Sequence, residues 1–229
     1  MSKTIRVYLE VGQKKTFASA IDWPGWSRGG RYEDEALAAL AGYGDRYGRV
    51  VAKLTLRPAS KAPGDASALE VVERLKGGAS TDFGVPSEPA KTDIEPMTDA
   101  DLERQSAILR ACWSAFDAAA KAAAGIELRT GPRGGGRDLE KMIGHVVESE
   151  ASYLGQLGTR WRDDSGADAV RAWQDLRKLV IRALAARVHG EPLPDPRAKK
   201  RPWSPRYFVR RACWHVLDHA WEIEDRVEA

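Results

Sequence analysis

Residues 210–225 read RRACWHVLDHAWEIED and contain neither glycine nor proline, so they can form one uninterrupted helix. Within this stretch His215 and His219 are four residues apart, which places both imidazoles on one helix face, about one turn from each other. This is the spacing at which two side chains can bind one metal ion. Because two ligands do not complete a site, the rest of the chain must supply a third.

The composition is typical of a soluble globular protein. The chain of 229 residues is 43% hydrophobic and 30% charged, and 36 basic against 33 acidic side chains leave a net charge of +3. This charge is too small to require a nucleic acid as partner, and no apolar stretch is long enough to cross a bilayer. Cys112 and Cys213 lie far apart, which argues against a disulfide framework. We therefore expect a cytoplasmic protein with no membrane partner, for which a homodimer is possible.

Residues 1–78 have the pattern of a small α/β unit. Alternating residues in 5–11 and a looser alternation in 14–21 predict a β-hairpin, followed by a loop at 22–30 and a helix from about Glu33 to Leu40. Residues 50–56 fit either a helix or a strand, and residues 69–75 predict a last strand. The segment 79–98 is rich in proline, serine, threonine and aspartate, which predicts an extended linker.

From residue 99 the pattern is helical almost to the end. Apolar residues at helical spacing predict helices from about 99 to Gly125, from 138 to 157, from 168 to 188 and from Pro205 onward. Four amphipathic helices of about twenty residues each predict a four-helix bundle. The expected fold class is therefore α+β, with an α/β domain at 1–78, a linker at 79–98 and a bundle at 99–229.

The chain has four histidines, of which two lie outside the pair at 215 and 219. His145 lies in the second helix of the predicted bundle, about two turns after its start, and is the natural third ligand. His189 ends the third helix, where an imidazole commonly interacts with the helix dipole. Three protein ligands with an open coordination position are typical of a catalytic metal site.

Charged residues near the histidines are candidates for supporting roles. Glu148, Asp218 and Glu222 each follow a histidine by three residues, so each can orient that imidazole or act as a general base. The alternative for each carboxylate is a solvated helix face. Arg210 and Arg211 lie about one turn before the histidine pair and can bind an anionic substrate or cofactor, with a solvated basic surface as the alternative.

The N-terminal unit resembles the HicB-like antitoxin domain. The resemblance rests on D-W-P-G at 22–25, a glycine at 29 or 30, and E-D-E-A-L at 33–37. In that family a strand ends in a D-x-P-G loop, and a helix of the type G-x-x-x-E-E-A-L follows. The resemblance implies a fold, and an interaction role, more than it implies an activity.

The C-terminal part, from about 99 to 229, resembles the DinB/YfiT-like superfamily of metal-binding bundles. The resemblance rests on one histidine in the second helix and on W-H-x-x-D-H-A-W-E at 214–222. It implies that His145, His215 and His219 bind a divalent metal such as Zn or Ni, with open positions for water or substrate. In several branches it also implies transferase or isomerase chemistry with a thiol cofactor such as mycothiol or bacillithiol.

These observations favour a metal-dependent enzyme, a thiol-dependent transferase or isomerase, that acts on a small electrophilic molecule. The alternative is a non-enzymatic interaction or regulatory protein, in which the N-terminal unit binds a partner and the metal site is structural or vestigial. Because the sequence offers no evident nucleophile, the assignment as an enzyme stays open at this point.

Overall fold

The computed structural model describes residues 4–54, 68–130, 136–162, 169–192 and 202–227. Within this part of the chain all strands lie before residue 77, and long helices occupy most of the region after residue 98. The predicted α+β class is therefore confirmed. None of the helices in the described ranges combines the length and the apolar character that crossing a lipid bilayer requires.

The strands of the described residues form a mixed sheet. They are β1 (Ile5–Val11), β2 (Thr16–Ala20), β3 (Ser27–Gly30) and β4 (Leu69–Lys76), in the order β3-β2-β1-β4. Strand β2 is antiparallel to both neighbours, whereas β4 is parallel to β1. The prediction of a loop at 22–30 is partly wrong, because residues 27–30 form strand β3 and pair with β2. Glycine at position 29 suits this pairing, since a Cβ there would lie 3.1 Å from Cε1 of Phe17.

The long helices lie close to their predicted bounds. The helices are α1 (Glu33–Gly42), α2 (Gly44–Val51), α3 (Ala79–Phe83), α4 (Asp99–Ala122), α5 (Leu139–Gln156), α6 (Ala169–Val188) and α7 (Pro205–Val227), with a 3-10 turn at Lys91–Ile94. Residues 50 and 51 are helical, while 55 and 56 lie outside the described residues. Thr98 caps α4, because its hydroxyl accepts a hydrogen bond from the N–H of Asp101, whose carboxylate accepts from the N–H of Thr98.

The segment 79–98 packs against the sheet and contains α3 and the 3-10 turn. One attachment point is Glu10 of β1, which is fully buried. The Glu10 carboxylate accepts hydrogen bonds from the hydroxyl of Thr81 and from the backbone N–H groups of Ser87 and Glu88. A buried carboxylate needs such donors, so these contacts fix the segment on the sheet. The domain boundaries at 78 and 98 stay predictions.

One hydrophobic core joins the sheet to the long helices. Val7 of β1 belongs to the same buried cluster as Phe116 of α4 and Val216 of α7. The loop after β2 approaches α7 closely at Gly25, where φ is +93° and a Cβ would lie 2.9 Å from Cβ of Cys213. The sheet therefore contributes directly to the burial of α7.

Helix α7 occupies the centre of the helical part. It packs against α4, α5 and α6 and also against the 3-10 turn, while α6 contacts both α4 and α5. Because α5 and α7 are neighbours, the histidine on α5 can reach the two histidines on α7. The packing of α7 thus positions the candidate site.

Arg210 connects α7 to the 3-10 turn by a buried ion pair and to the end of β2 by hydrogen bonds. Its Nη2 lies 2.8 Å from Oδ1 of Asp93, and the two side chains are 9% and 0% exposed. The guanidinium also donates to the carbonyl oxygens of Ala20 and Ile21, at 3.0 and 3.1 Å. Removal of one member of such a pair leaves an uncompensated charge inside the protein.

We expect Arg210→Ala to lower the free energy of unfolding by about 3–5 kcal/mol, because the carboxylate of Asp93 loses its buried partner. The matched control is Arg6→Ala, which breaks the pair with Asp22 whose side chains are 48% and 52% exposed. That control is expected to cost less than about 1 kcal/mol. Urea unfolding followed by tryptophan fluorescence measures both variants, and equal losses would contradict the role assigned to Arg210.

Candidate metal centre

Three histidines meet between α5 and α7. His145 comes from α5, and His215 and His219 come from consecutive turns of α7. The Nε2 atoms of His145 and His215 are 3.2 Å apart, and one nitrogen from each of the three rings lies within 4.8 Å of the others. His189 lies elsewhere, with its Nε2 3.0 Å from Oδ1 of Asp99. The structure therefore brings together the three histidines that the sequence singles out.

The two histidines of α7 are largely shielded from solvent, whereas His145 is partly exposed. His215 is 7% exposed and His219 is 9% exposed. Burial lowers the pKa of His215 to about 2, and the positive charges around it, including that of Arg211, act in the same direction. Burial and the charge of Arg137 also lower the pKa of His145. His145 and His215 are therefore neutral near pH 7, and each has a nitrogen lone pair available for a metal ion.

Glu222 orients His219 by a hydrogen bond to its second ring nitrogen. Oε2 of Glu222 lies 3.2 Å from Nδ1 of His219, which leaves Nε2 as the nitrogen that can bind a metal. Arg226 holds the carboxylate, because its Nη1 lies 3.3 Å from Oε1 of Glu222. The hydrogen bond from His219 and the charge of Arg226 lower the pKa of Glu222, which therefore stays ionised. Arg226 also donates to the carbonyl oxygens of Arg129 and Arg137.

This set of donors fits a divalent metal ion. Imidazole nitrogens are ligands that Zn and Ni accept readily. The Nδ1 atom of His215 is buried and has no hydrogen-bond partner among the described residues, so no contact there fixes the tautomer, and Nε2 is the nitrogen that faces His145. In the same part of the chain, no further histidine, cysteine or carboxylate belongs to the cluster. The three histidines can therefore hold a metal ion and leave coordination positions free.

Three other residues that the sequence singles out are not hydrogen-bonded to a histidine in the described structure. Asp218 accepts a hydrogen bond from Nη1 of Arg28 at 3.1 Å. Arg210 is engaged by the sheet and by the 3-10 turn, as described above. Glu148 is exposed, and its charge opposes the lowering of the pKa of His145. Of the predicted supporting carboxylates, only Glu222 directly contacts a histidine in the described part of the chain.

Tyr153 and Arg211 lie beside His215. The ring centroids of Tyr153 and His215 are 5.6 Å apart, and Nη2 of Arg211 donates to the Tyr153 hydroxyl at 3.1 Å. Arg211 is among the residues predicted from the sequence, whereas Tyr153 is not. The signal was present, because Tyr153 follows His145 by eight residues, one of the spacings that fall within one broad face of a helix.

We expect the metal-free protein to lose stability as the pH falls below about 6.5, the ordinary pKa of histidine. Because the pKa of His215 is lowered in the folded state, the unfolded chain takes up a proton that the folded chain does not. The free energy of unfolding is therefore highest, as far as His215 is concerned, above that pH, and it decreases progressively below it. At pH 5 one such group has lowered it by about 2 kcal/mol.

Urea unfolding of the metal-free wild type and of His215→Gln, at pH 7.5 and at pH 5, measures this contribution. The wild type is expected to lose about 2 kcal/mol more than the variant over that interval. An equal loss in both proteins would contradict a buried, neutral His215.

The family comparison covers the helices that build the cluster. Neither among curated proteins nor among solved structures is there a significant match to this chain. The family model described as the DinB superfamily matches residues 108–223, just over half of the chain, from within α4 to within α7. The matched region contains all three clustered histidines. The chain therefore belongs to the DinB superfamily.

Proposed function

We propose that this protein is a metal-dependent enzyme that holds a divalent ion, Zn or Ni, with His145, His215 and His219. The observation that carries the proposal is the convergence of three imidazoles, with no fourth protein ligand among the described residues. A structural zinc site commonly has four protein ligands, several of them cysteines. Three ligands instead leave room for a reacting molecule.

A bound divalent ion supplies a Lewis acid that lowers the pKa of a water or thiol in an open position. The chain's own residues prepare the site for it. Burial keeps His145 and His215 neutral, and Glu222 presents Nε2 of His219 to the cluster. Tyr153 borders the cluster on the side of His215.

We propose that the reaction joins a thiol cofactor, such as mycothiol or bacillithiol, to a small electrophilic molecule, or isomerises that molecule through the same thiol. In the transfer reaction the thiol sulfur bonds to the electrophilic carbon, the leaving group takes its bonding electrons, and the thiol proton passes to solvent. Superfamily membership supports this proposal. The chain's two cysteines are buried, and burial raises the pKa of Cys213, so an external thiol is the better nucleophile.

We also propose that α4 to α7 form a four-helix bundle of the DinB type and that the N-terminal unit is HicB-like. The contacts of α7 with the other three long helices support the first assignment. The D-W-P-G loop at 22–25, followed after β3 by helix α1, supports the second. A cytoplasmic location, with mycothiol or bacillithiol as cofactor, completes the proposal.

A non-enzymatic interaction protein with a structural metal is the second candidate. The observation that favours it is the firm attachment of the N-terminal unit to the helix that carries two of the histidines. Arg46 lies 2.6 Å from Glu224 and 2.8 Å from Asp225, and Arg28 lies 3.1 Å from Asp218. Metal binding that stabilises α7 would then stabilise the surface of the N-terminal unit.

We expect protein without a histidine tag to bind about one Zn or Ni ion per chain, with an affinity that depends on His145, His215 and His219. The double variant His215→Ala/His219→Ala is expected to lose the ion, because it keeps only one of the three ligands. His189→Ala is the matched control, since this imidazole lies outside the cluster. Metal analysis by mass spectrometry after dialysis gives the ratio. A wild type that stays metal-free after incubation with Zn and with Ni would contradict the proposal.

We expect the metal-loaded wild type to accelerate the reaction of mycothiol or bacillithiol with a chromogenic aryl halide. The double variant is expected to show only the uncatalysed rate, because the thiol is no longer activated. Absorbance of the thioether product measures both. If the wild type binds metal but forms no adduct with either thiol, the transfer reaction is wrong and the structural-metal candidate is favoured.

A further inference from the structure

Arg211 lies next to the histidine cluster and is held in a defined position. It precedes His215 by one helical turn, and its charge contributes to the lowered pKa of that histidine. Its guanidinium lies 4.8 Å from the ring centroid of Trp214 and 5.4 Å from that of Tyr153. Because the Tyr153 hydroxyl also accepts a hydrogen bond from Nη2, the orientation of the guanidinium is restrained from several sides.

Arg211 differs from the other arginines of α7 in having no carboxylate partner within the described residues. Arg206, Arg210 and Arg226 each form an ion pair, with Asp101, Asp93 and Glu222 respectively. Nη1 of Arg211 is buried and has no hydrogen-bond acceptor in the described part of the chain. A buried N–H without an acceptor is costly, and a bound anion would remove that cost.

Tyr153, which contacts the guanidinium, belongs to a larger group of aromatic side chains. The ring of Trp203 lies 5.3 Å from that of Tyr153 and 4.9 Å from that of Tyr207, measured between centroids. The Tyr153 hydroxyl accepts from Arg211 and donates to no acceptor among the described residues. The guanidinium is planar, and its N–H donors can form two hydrogen bonds with a planar carboxylate. The aromatic rings can contact a hydrophobic part of the same ligand.

The electrostatics of the cluster also favour an anion. Arg137 lies close enough to lower the pKa of both His145 and His215. The nearby carboxylate of Glu222 is already engaged by His219 and Arg226. The charge of Arg211, which is not neutralised by a carboxylate among the described residues, therefore attracts a negatively charged molecule to this side of the cluster.

We infer that Arg211 determines specificity by binding the carboxylate of a small, partly hydrophobic substrate beside the histidine cluster. This inference rests on the proposed function, because it assigns the substrate to the same site. Tyr153 positions the guanidinium, and the aromatic side chains contact the hydrophobic part of the substrate. The substrates are thus small carboxylic acids that carry an apolar or aromatic group.

Calorimetric titration with benzoate tests this inference, with benzyl alcohol as the neutral probe of similar shape. Both zinc-loaded and metal-free protein are titrated. Arg211→Gln is expected to weaken benzoate binding about 10- to 100-fold, because it removes a charge-assisted hydrogen bond. Arg211→Lys is expected to give an intermediate loss of benzoate affinity, since lysine keeps the positive charge but lacks the paired N–H donors of the guanidinium. Arg182→Gln is the matched control, because it removes an exposed arginine of α6.

The inference is supported if benzoate affinity falls with Arg211→Gln while benzyl alcohol affinity and zinc content stay unchanged. It is overturned if the wild type binds no benzoate, or if Arg211→Gln binds it as tightly as the wild type. Thermal unfolding checks that each variant is folded, and Arg211→Lys replaces Arg211→Gln as the decisive variant if the latter is not. If the protein takes up no zinc but binds benzoate in a way that depends on Arg211, the metal site is disproved while the carboxylate site at Arg211 is supported.

Discussion

Helix α7 is buried along most of its length, so its polar side chains need partners inside the protein. The partners come from different parts of the chain. Arg210 pairs with Asp93 near the sheet, whereas His215 meets His145 of α5. The position of α7 therefore decides both how the sheet joins the helices and whether the histidines form a cluster.

The N-terminal unit contributes to the site by contacting the turns of α7 that carry the histidines. Arg28 lies 3.9 Å from the ring centroid of Tyr43 and forms an ion pair with Asp218, which lies between the two histidines of α7 in sequence. Tyr43 also packs against Trp221, with ring centroids 5.0 Å apart. These contacts involve one side of α7 while its histidines face α5. An N-terminal unit without a catalytic motif can thus be necessary for the geometry of the metal centre.

Local helix geometry predicts the spacing of His215 and His219 within α7, whereas the approach of His145 depends on the packing of α5 against α7. Helix geometry also predicts that Glu222 can reach His219. The positions of Arg210 and Asp218 could not be predicted, since both depend on long-range contacts with the N-terminal unit. Strand β3 was missed for a related reason: its residues, Ser-Arg-Gly-Gly, carry little strand propensity, and the pairing is imposed by β2.

The central claim is that the three imidazoles bind one metal ion without a protein thiolate. X-ray absorption spectroscopy of the zinc-loaded, tag-free protein tests this claim most directly. We expect imidazole scattering from three nitrogen ligands at about 2.0–2.1 Å, with an additional light-atom ligand in the open position. Sulfur scattering at about 2.3 Å, or fewer than three imidazoles around the ion, would contradict it.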